Sequence, residues 1–434
     1  MQNKLILVFS IFLLLIGINA SGQKQINTPY SRFNIGSLEP EGSFKSLGMG
    51  GVGVAMRNNN SIFFSNPASY SSLDTNSFVF DFGLDYGKST MAGSSAKYKS
   101  DDLNFHHLIL GFPISRGFGV AVGIIPVSSG YYNLTGEVNK SDPAYDPNIG
   151  EYLTDHKGSG GITKVFVGTG LKITKNLSLG VNMTFLSGTL TRANQFTFGD
   201  YTTSFHDNSV EKYEIKGLNF DYGLQYTANF KNKLFLNIGA SVTTGKDFSS
   251  KFNQLSMKQS AFNVQDTISY ISDNNAKTFI PATMRFGIAF GQKNKFTTGI
   301  DYVATNWSAS KIPGSTGYAA DTRNFIFGAE YIPDKFSNFS FIRRVEYRLG
   351  GHVGNNYLII NGQQIKEYGG SVGLGIPIKQ ASNIASFSWG TLNVYLDYTR
   401  KNGSNATSIH YENYLTAGLS LNLYDYWFLK KKYE

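Results

Sequence analysis

Stretches of about ten residues in which every second side chain is apolar recur along nearly the whole chain, and this period of two limits the fold more than any other feature. Phe78, Phe80, Phe82, Leu84 and Tyr86 alternate with Ser77, Val79, Asp81, Gly83 and Asp85. Leu177, Leu179, Val181, Met183 and Phe185 repeat the pattern, as do Ala282, Met284, Phe286, Ile288 and Phe290, and then Leu415, Ala417, Leu419, Leu421 and Leu423. In an extended chain the two sets fall on opposite faces. The second face carries Asp, Arg, Asn, Thr and Gly, so it is not the dry side of a soluble sandwich. An apolar face of this length beside a polar one suits lipid outside and a wet lumen inside. Open sheet edges cannot stand in hydrocarbon, so the sheet must close. The fold class expected is all-β, a transmembrane antiparallel β-barrel.

Fourteen such segments are readable, near 77–87, 103–114, 117–127, 160–173, 177–192, 210–229, 233–246, 278–291, 295–310, 321–332, 342–357, 364–379, 386–400 and 411–428. Their connections alternate at first between long (87 to 103, 127 to 160) and tight (Ser115-Arg116, Lys175-Asn176, Lys231-Asn232, Lys293-Asn294). Barrels of this kind keep tight turns in the periplasm and long loops outside, which puts both termini in the periplasm and the chain in the cell outer membrane. Composition agrees. Gly (47), Phe (34) and Tyr (26) are abundant and only 16% of residues are charged, which favours strands and turns. Residues 1–22 have a basic start, an apolar run from Leu5 to Ile18 and the small residues Ala20-Ser21-Gly22, the layout of a cleavable export signal. That run is shorter than the about 20 residues a spanning helix needs. No cysteine occurs, so lipid attachment through cysteine, disulfides and thiolate metal sites are excluded. The net charge of +9 is scattered, with one basic run at Lys430-Lys431-Lys432, and an exported chain meets little nucleic acid.

Residues 23–75 do not alternate and are expected to form a separate N-terminal unit ahead of a barrel at 76–434. They contain Leu47-Gly48-Met49-Gly50-Gly51-Val52-Gly53-Val54-Ala55 and then Phe63-Phe64-Ser65-Asn66-Pro67-Ala68-Ser69-Tyr70. Gly48, Gly50 and Gly53 match a dinucleotide-binding spacing, with Asp74 some way on. No strand precedes Gly48, however, and Asn58-Asn59-Asn60 breaks the helix that should follow, so no nucleotide or other cofactor is expected. The two motifs together resemble the opening of the FadL/TodX family of outer-membrane transporters for long-chain fatty acids and aromatic hydrocarbons. A second match is Phe279-Ile280-Pro281-Ala282-Thr283 leading into Arg285 to Phe290, followed by Asp301-Tyr302 and Asn306-Trp307-Ser308. Only the end departs from the usual pattern, with Leu429 to Glu434 following Phe428.

The resemblance implies a fourteen-stranded barrel with residues 23–75 as a hatch in its lumen, and a closed barrel, self-sufficient as one chain, is expected to be a monomer. It also implies a passive route for hydrophobic cargo that ends sideways at a kinked third strand. A wall of that size encloses more space than its own side chains fill. The hatch motif residues are Gly48, Gly50, Gly51, Gly53, Asn66, Pro67 and Ala68; each either folds the hatch or touches cargo. In the third strand Pro126 lacks a ladder donor, and Ser128-Ser129-Gly130 has little bulk, so this stretch marks either a lateral opening or the strand's end. Inward charges include Arg285, Asp301, Glu330, Glu346, Arg348 and Asp397, which pair with one another or with the hatch; Arg285 and Arg348 are the candidates for a cargo carboxylate. Nothing points to catalysis or a metal. No nucleophile elbow occurs, and His106 and His107 as strand neighbours should face opposite ways. A competing role is an accessory barrel of a protein secretion system, with loops 128–159 and 247–277 as partner surfaces.

Overall fold

The computed structural model describes residues 28–93, 97–142, 145–198, 205–259, 265–315, 317–360, 362–379, 389–403 and 409–426. The expected export signal, the first residues of the N-terminal unit (23–27) and the Leu429–Glu434 tail with its lysine run lie outside the described residues. Fourteen strands form the wall: β1 Ser77–Gly93, β2 Lys97–Ser115, β3 Phe118–Ser129, β4 Tyr152–Lys172, β5 Leu177–Phe198, β6 Phe205–Asn229, β7 Leu234–Thr243, β8 Thr283–Gln292, β9 Phe296–Thr305, β10 Thr322–Tyr331, β11 Glu346–Ile360, β12 Gln363–Lys379, β13 Trp389–Asn402 and β14 Ile409–Tyr426. Each pairs antiparallel with the next, and β14 returns to β1 along a ladder from Ser77↔Tyr426 to Ala92↔Tyr411. Ring closure leaves no strand of the wall without a neighbour on either side. Each alternating segment of the sequence became one wall strand. The eleventh starts later than its pattern suggested, because Phe341–Arg344 is a helical turn.

Burial follows the alternation. On β8 Met284, Phe286, Ile288 and Phe290 are exposed while Gly287 and Ala289 face in; on β5 Leu179, Met183 and Phe185 are exposed while Asn182 and Thr184 are buried. No described helix is long and apolar enough to cross a membrane. The strands carry the crossing, and the chain is an outer-membrane β-barrel with its short turns, and the end where residue 77 enters the wall, on the periplasmic side. At the other end the sheet outgrows the bilayer. Strands of 22 and 25 residues (β5, β6) exceed the about 9–11 a crossing needs, and β6 continues its pairing on Lys246–Gln259, which pairs in turn with Gln265–Asp273.

Residues 28–76 run inside the ring. They form 3-10 turns at Pro29–Arg32 and Pro67–Ser72, a two-residue strand at Ser37–Leu38 and a helical turn at Phe44–Leu47. Tyr30, Phe44, Met49, Val52, Ile62, Phe63 and Tyr70 are all buried against the wall. Contact is backbone to backbone along a belt of inward glycines that pair across strands, as in Gly170↔Gly180↔Gly223 and Gly299↔Gly328↔Gly350. A Cβ on Gly328 or Gly350 would run into the Met49 carbonyl group, and one on Gly180 or Gly170 into the backbone of Pro67. On the inner partner Gly50 (φ +74°) and Gly51 (φ +105°) hold the left-handed backbone that favours glycine, and a Cβ on Gly50 would press on the backbone of Gly351.

Candidate functional site

The glycine-rich segment is clamped by a wall carboxylate. Asp301 of β9 is buried, and its Oδ2 accepts hydrogen bonds from Gly53 N at 2.7 Å and Val54 N at 2.9 Å. Gly50 N donates to Ser371 Oγ at 2.8 Å. Gly48 closes the helical turn Phe44–Leu47 as its C-cap. Asn66 is wholly buried. Its Oδ1 accepts from Ala68 N (3.1 Å) and caps the turn that Pro67 opens, while its Nδ2 faces the carbonyls of Val54 (2.9 Å), Leu224 (3.1 Å) and Ala240 (3.2 Å). Both ends of the amide are thus engaged within the protein. None of Gly48, Gly53, Asn66, Pro67 or Ala68 lines a described cavity; Gly50 and Gly51 do.

The two arginines differ. Arg348 has a fully buried side chain in a network with Glu330 (Nε–Oε2 2.8 Å), Glu346 and Asn393 (Nη1–Oδ1 2.8 Å), and Lys45 of the inner segment joins it at 2.9 Å from Glu330 and 3.0 Å from Glu346. Two cations and two carboxylates balance, so this network fastens the inner segment to the wall. Arg285 instead lines a central cavity of about 410 Å³. There its Nη2 meets Glu41 Oε2 at 2.5 Å, and Glu41 Oε1 reaches Lys164 Nζ at 2.6 Å. Burial alone would raise the Glu41 pKa, but Arg285 and Lys164 outweigh it and hold the carboxyl down at about 2. The cavity is also lined by Ile35, Leu38, Ile125, Phe248, Trp307 and Tyr357, and by charged groups that include Asp301, Glu367 and the His352–Asp397 pair (Nδ1–Oδ2 3.9 Å), so apolar walls and ionisable groups share it.

At the third strand the wall is interrupted. The β2–β3 ladder runs from Ser115↔Phe118 to Leu108↔Ile124, and no further pair joins them among the described residues, although β2 extends to Lys97 along β1. Strand β3 continues through Pro126, where its register on β4 shifts, and then pairs with the inner segment: Ser129↔Ser37, Ser128↔Leu38, and Glu39 N to Val127 O at 3.0 Å. Gly130 N bonds to Gly160 O at 2.8 Å, and Gly130 has no room for a Cβ against Leu190. A second cavity of about 390 Å³ fills the interval, lined by Asp85, Asn104, Phe105 and His106 on one side and Ile124, Pro126, Ser128 and Ser129 on the other. Glu39 and Pro126 line both cavities. Burial, reinforced by Asp102, pushes the Glu39 carboxyl up to about 7 against the opposing pull of Lys401.

His106 and His107 do not face opposite ways. The register of β1 on β2 shifts between Gly83↔His107 and Leu84↔Phe105, leaving His106 as an extra residue. Both rings turn inward, with Nδ1 atoms 2.8 Å apart, and pack on Phe44. A bulge breaks the period-two rule locally. Among the described residues no group of three or more potential ligands could hold a metal. Sequence reasoning also passed over Glu39 and Glu41. Two carboxylates flanking Pro40 in an otherwise apolar, glycine-rich stretch were the available signal.

Solved structures share this architecture at low identity. A Pseudomonas aeruginosa FadL homologue is 11% identical, covering 90% of this chain and 100% of its own, with a TM-score of 0.57. The Pseudomonas putida toluene transporter TodX is 14% identical over 91% of this chain and 100% of its own (TM-score 0.56), and the Ralstonia pickettii toluene transporter TbuX 14% identical over 90% and 99% (TM-score 0.55). The fold is therefore that of the FadL and TodX barrels. No curated protein matches the chain in sequence. The model of one family, described as BamG, matches residues 1–434, and the chain belongs to the BamG family.

Proposed function

We propose that this barrel passes small hydrophobic molecules through the outer membrane without energy input, with residues 23–75 as a fixed hatch and an exit between β2 and β3. The observation that carries the reading is that Glu39 and Pro126 line both the central cavity and the interval in the wall, so the two spaces adjoin at these residues. The central cavity lies within the about 300–1,000 Å³ common for small-molecule sites, and its apolar lining suits such cargo. The named transporters of the same fold support the class of cargo. Arg285 is the one proposed carboxylate contact that faces the cavity, and Glu41 already occupies it, so a cargo carboxylate would bind there only by displacing Glu41. Neutral cargo needs no such exchange.

The chain has no cysteine, so cysteines at Phe105 and Pro126 can be joined selectively across the interval by a short cross-linker. Uptake of toluene or oleate into proteoliposomes is expected to fall on cross-linking. Unchanged uptake would overturn the lateral route.

A second reading, a partner-binding role in protein export, is favoured by one observation: every residue of the strand Gln265–Asp273 beyond the bilayer is exposed, including Ile268, Tyr270 and Ile271. Mass spectrometry of the gently purified barrel separates the two readings. Hydrophobic molecules in the lumen support transport, and a stoichiometric protein supports the partner role.

A further inference from the structure

We infer that the periplasmic connection 332–345 is a lipid anchor, which inserts Phe336, Phe339, Phe341 and Ile342 into the inner leaflet of the outer membrane and meets phospholipid phosphates with Arg343 and Arg344. The described turns at this end of the barrel otherwise span a few residues, while this one carries four large apolar side chains that are all exposed, Phe339 completely. An aqueous setting would leave that surface wet at about 25 cal/mol per Å².

Three observations place the segment against lipid. Tyr347 of β11 points outward, and its Oη donates to Ile342 O at 3.1 Å, so the helical turn Phe341–Arg344 lies along the outer side of the wall. The outward residues just above it, Phe325, Phe327, Tyr331 and Leu349, are exposed members of the apolar band, and the loop extends that band without a break. The segment is also held in shape. Ile332 and Val345 are buried at its base, Asp334 N donates to Arg343 O (2.8 Å), Phe336 N to Asp334 Oδ1 (3.1 Å) and Ser340 N to Ser337 Oγ (3.3 Å). A braced loop loses little conformational freedom on insertion.

Charge completes the match. Arg343 is exposed, and the half-buried Arg344 holds its guanidinium 5.5 Å from the centre of the Phe341 ring, with its Nε buried and without an acceptor. Lys335 is half-buried and interacts electrostatically with Glu346 and Glu330. The exposed carboxylate of Asp334 accepts from one amide of the loop, Phe336 N. Aromatic rings at the headgroup level with arginines reaching the phosphates is the arrangement of interfacial anchors.

A single cysteine in place of Phe339, spin-labelled in vesicles of phosphatidylethanolamine and phosphatidylglycerol, tests this. Access to oxygen relative to a water-soluble nickel chelate should be far higher than for a label at Asn294 in a tight turn of the same end. A label at 339 that is as open to nickel as the control would overturn the anchor, and so would one shielded from both reagents, which would mean protein covers the site. Adding Arg343→Glu and Arg344→Glu should shift the label toward water; an unmoved label would remove the phosphate contact from the proposal.

Discussion

Asp301→Ala is the most direct test of how the inner segment is held. In the folded protein one carboxylate oxygen takes the amides of Gly53 and Val54 at 2.7 and 2.9 Å, and both amides are buried. Hydrogen bonds to a charged acceptor are worth about 1.5–3 kcal/mol each, so two lost bonds amount to about 3–6 kcal/mol. Removing the carboxylate also removes its own desolvation cost, which places the expected loss near the lower end, about 3 kcal/mol. At about 1.4 kcal/mol per tenfold, local opening of residues 48–56 should become roughly a hundredfold more frequent. Hydrogen–deuterium exchange of the purified barrel in detergent, read by mass spectrometry, reports this. Peptides covering 48–56 should exchange about a hundredfold faster while those of the distant wall strand β13 keep their protection. Asp301→Asn, which keeps shape but not charge, should fall between. Wild-type exchange across 48–56 in the alanine variant would show that Asp301 does not hold the segment, and the clamp would have to be assigned elsewhere.

Three further outcomes follow from the same contacts. Gly350→Val should unseat residues 48–51, read as protease access and as leakage of small polar solutes, because its Cβ would meet the Met49 and Gly50 backbone; Gly370→Ala, whose Cβ has only the Gly350 oxygen within reach at 3.6 Å, should be silent. Glu39 carries a carboxyl raised to about 7 from its usual value near 4.5, so the stability it gives the 37–39 pairing on β3 is full below about 4.5 and is lost as pH rises through about 7. Exchange of these amides, corrected for intrinsic rates, should therefore quicken between about pH 5 and 8, and Glu39→Gln should abolish the trend. Glu41→Gln frees Arg285 and Lys164 from their shared carboxylate and should raise the affinity of the cavity for oleate over an uncharged hydrocarbon of equal length, measured by calorimetry.

The wall was legible because its physics is periodic. Wherever lipid lies on one side and the lumen on the other, each strand must alternate, and Phe286 and Gly287 declare their faces without any structure. Legibility fails where that contrast ends. Beyond the bilayer, Gln265–Asp273 meets water on both faces and loses the pattern, and on Lys246–Gln259 only Phe248 and Ser250 are buried, so a sheet there reads as a loop. At His106 one inserted residue reverses the expected face, and nothing local marks a bulge. The acidic residues of the inner segment escaped notice because a segment without period offers no face to assign them to. Asp301 was visible as an inward charge, but the donors it holds, two amides far away in sequence, come only with the fold.

The belt of paired glycines inverts the usual hierarchy of a protein's side chains. Outward leucines and phenylalanines need only be greasy, and one can stand in for another because fluid acyl chains adapt to any shape. On the inner side the rigid neighbour leaves no slack, and a methyl group on Gly328 or Gly350 has nowhere to go. Drift in such a chain is free where it is bulky and forbidden where it is bare.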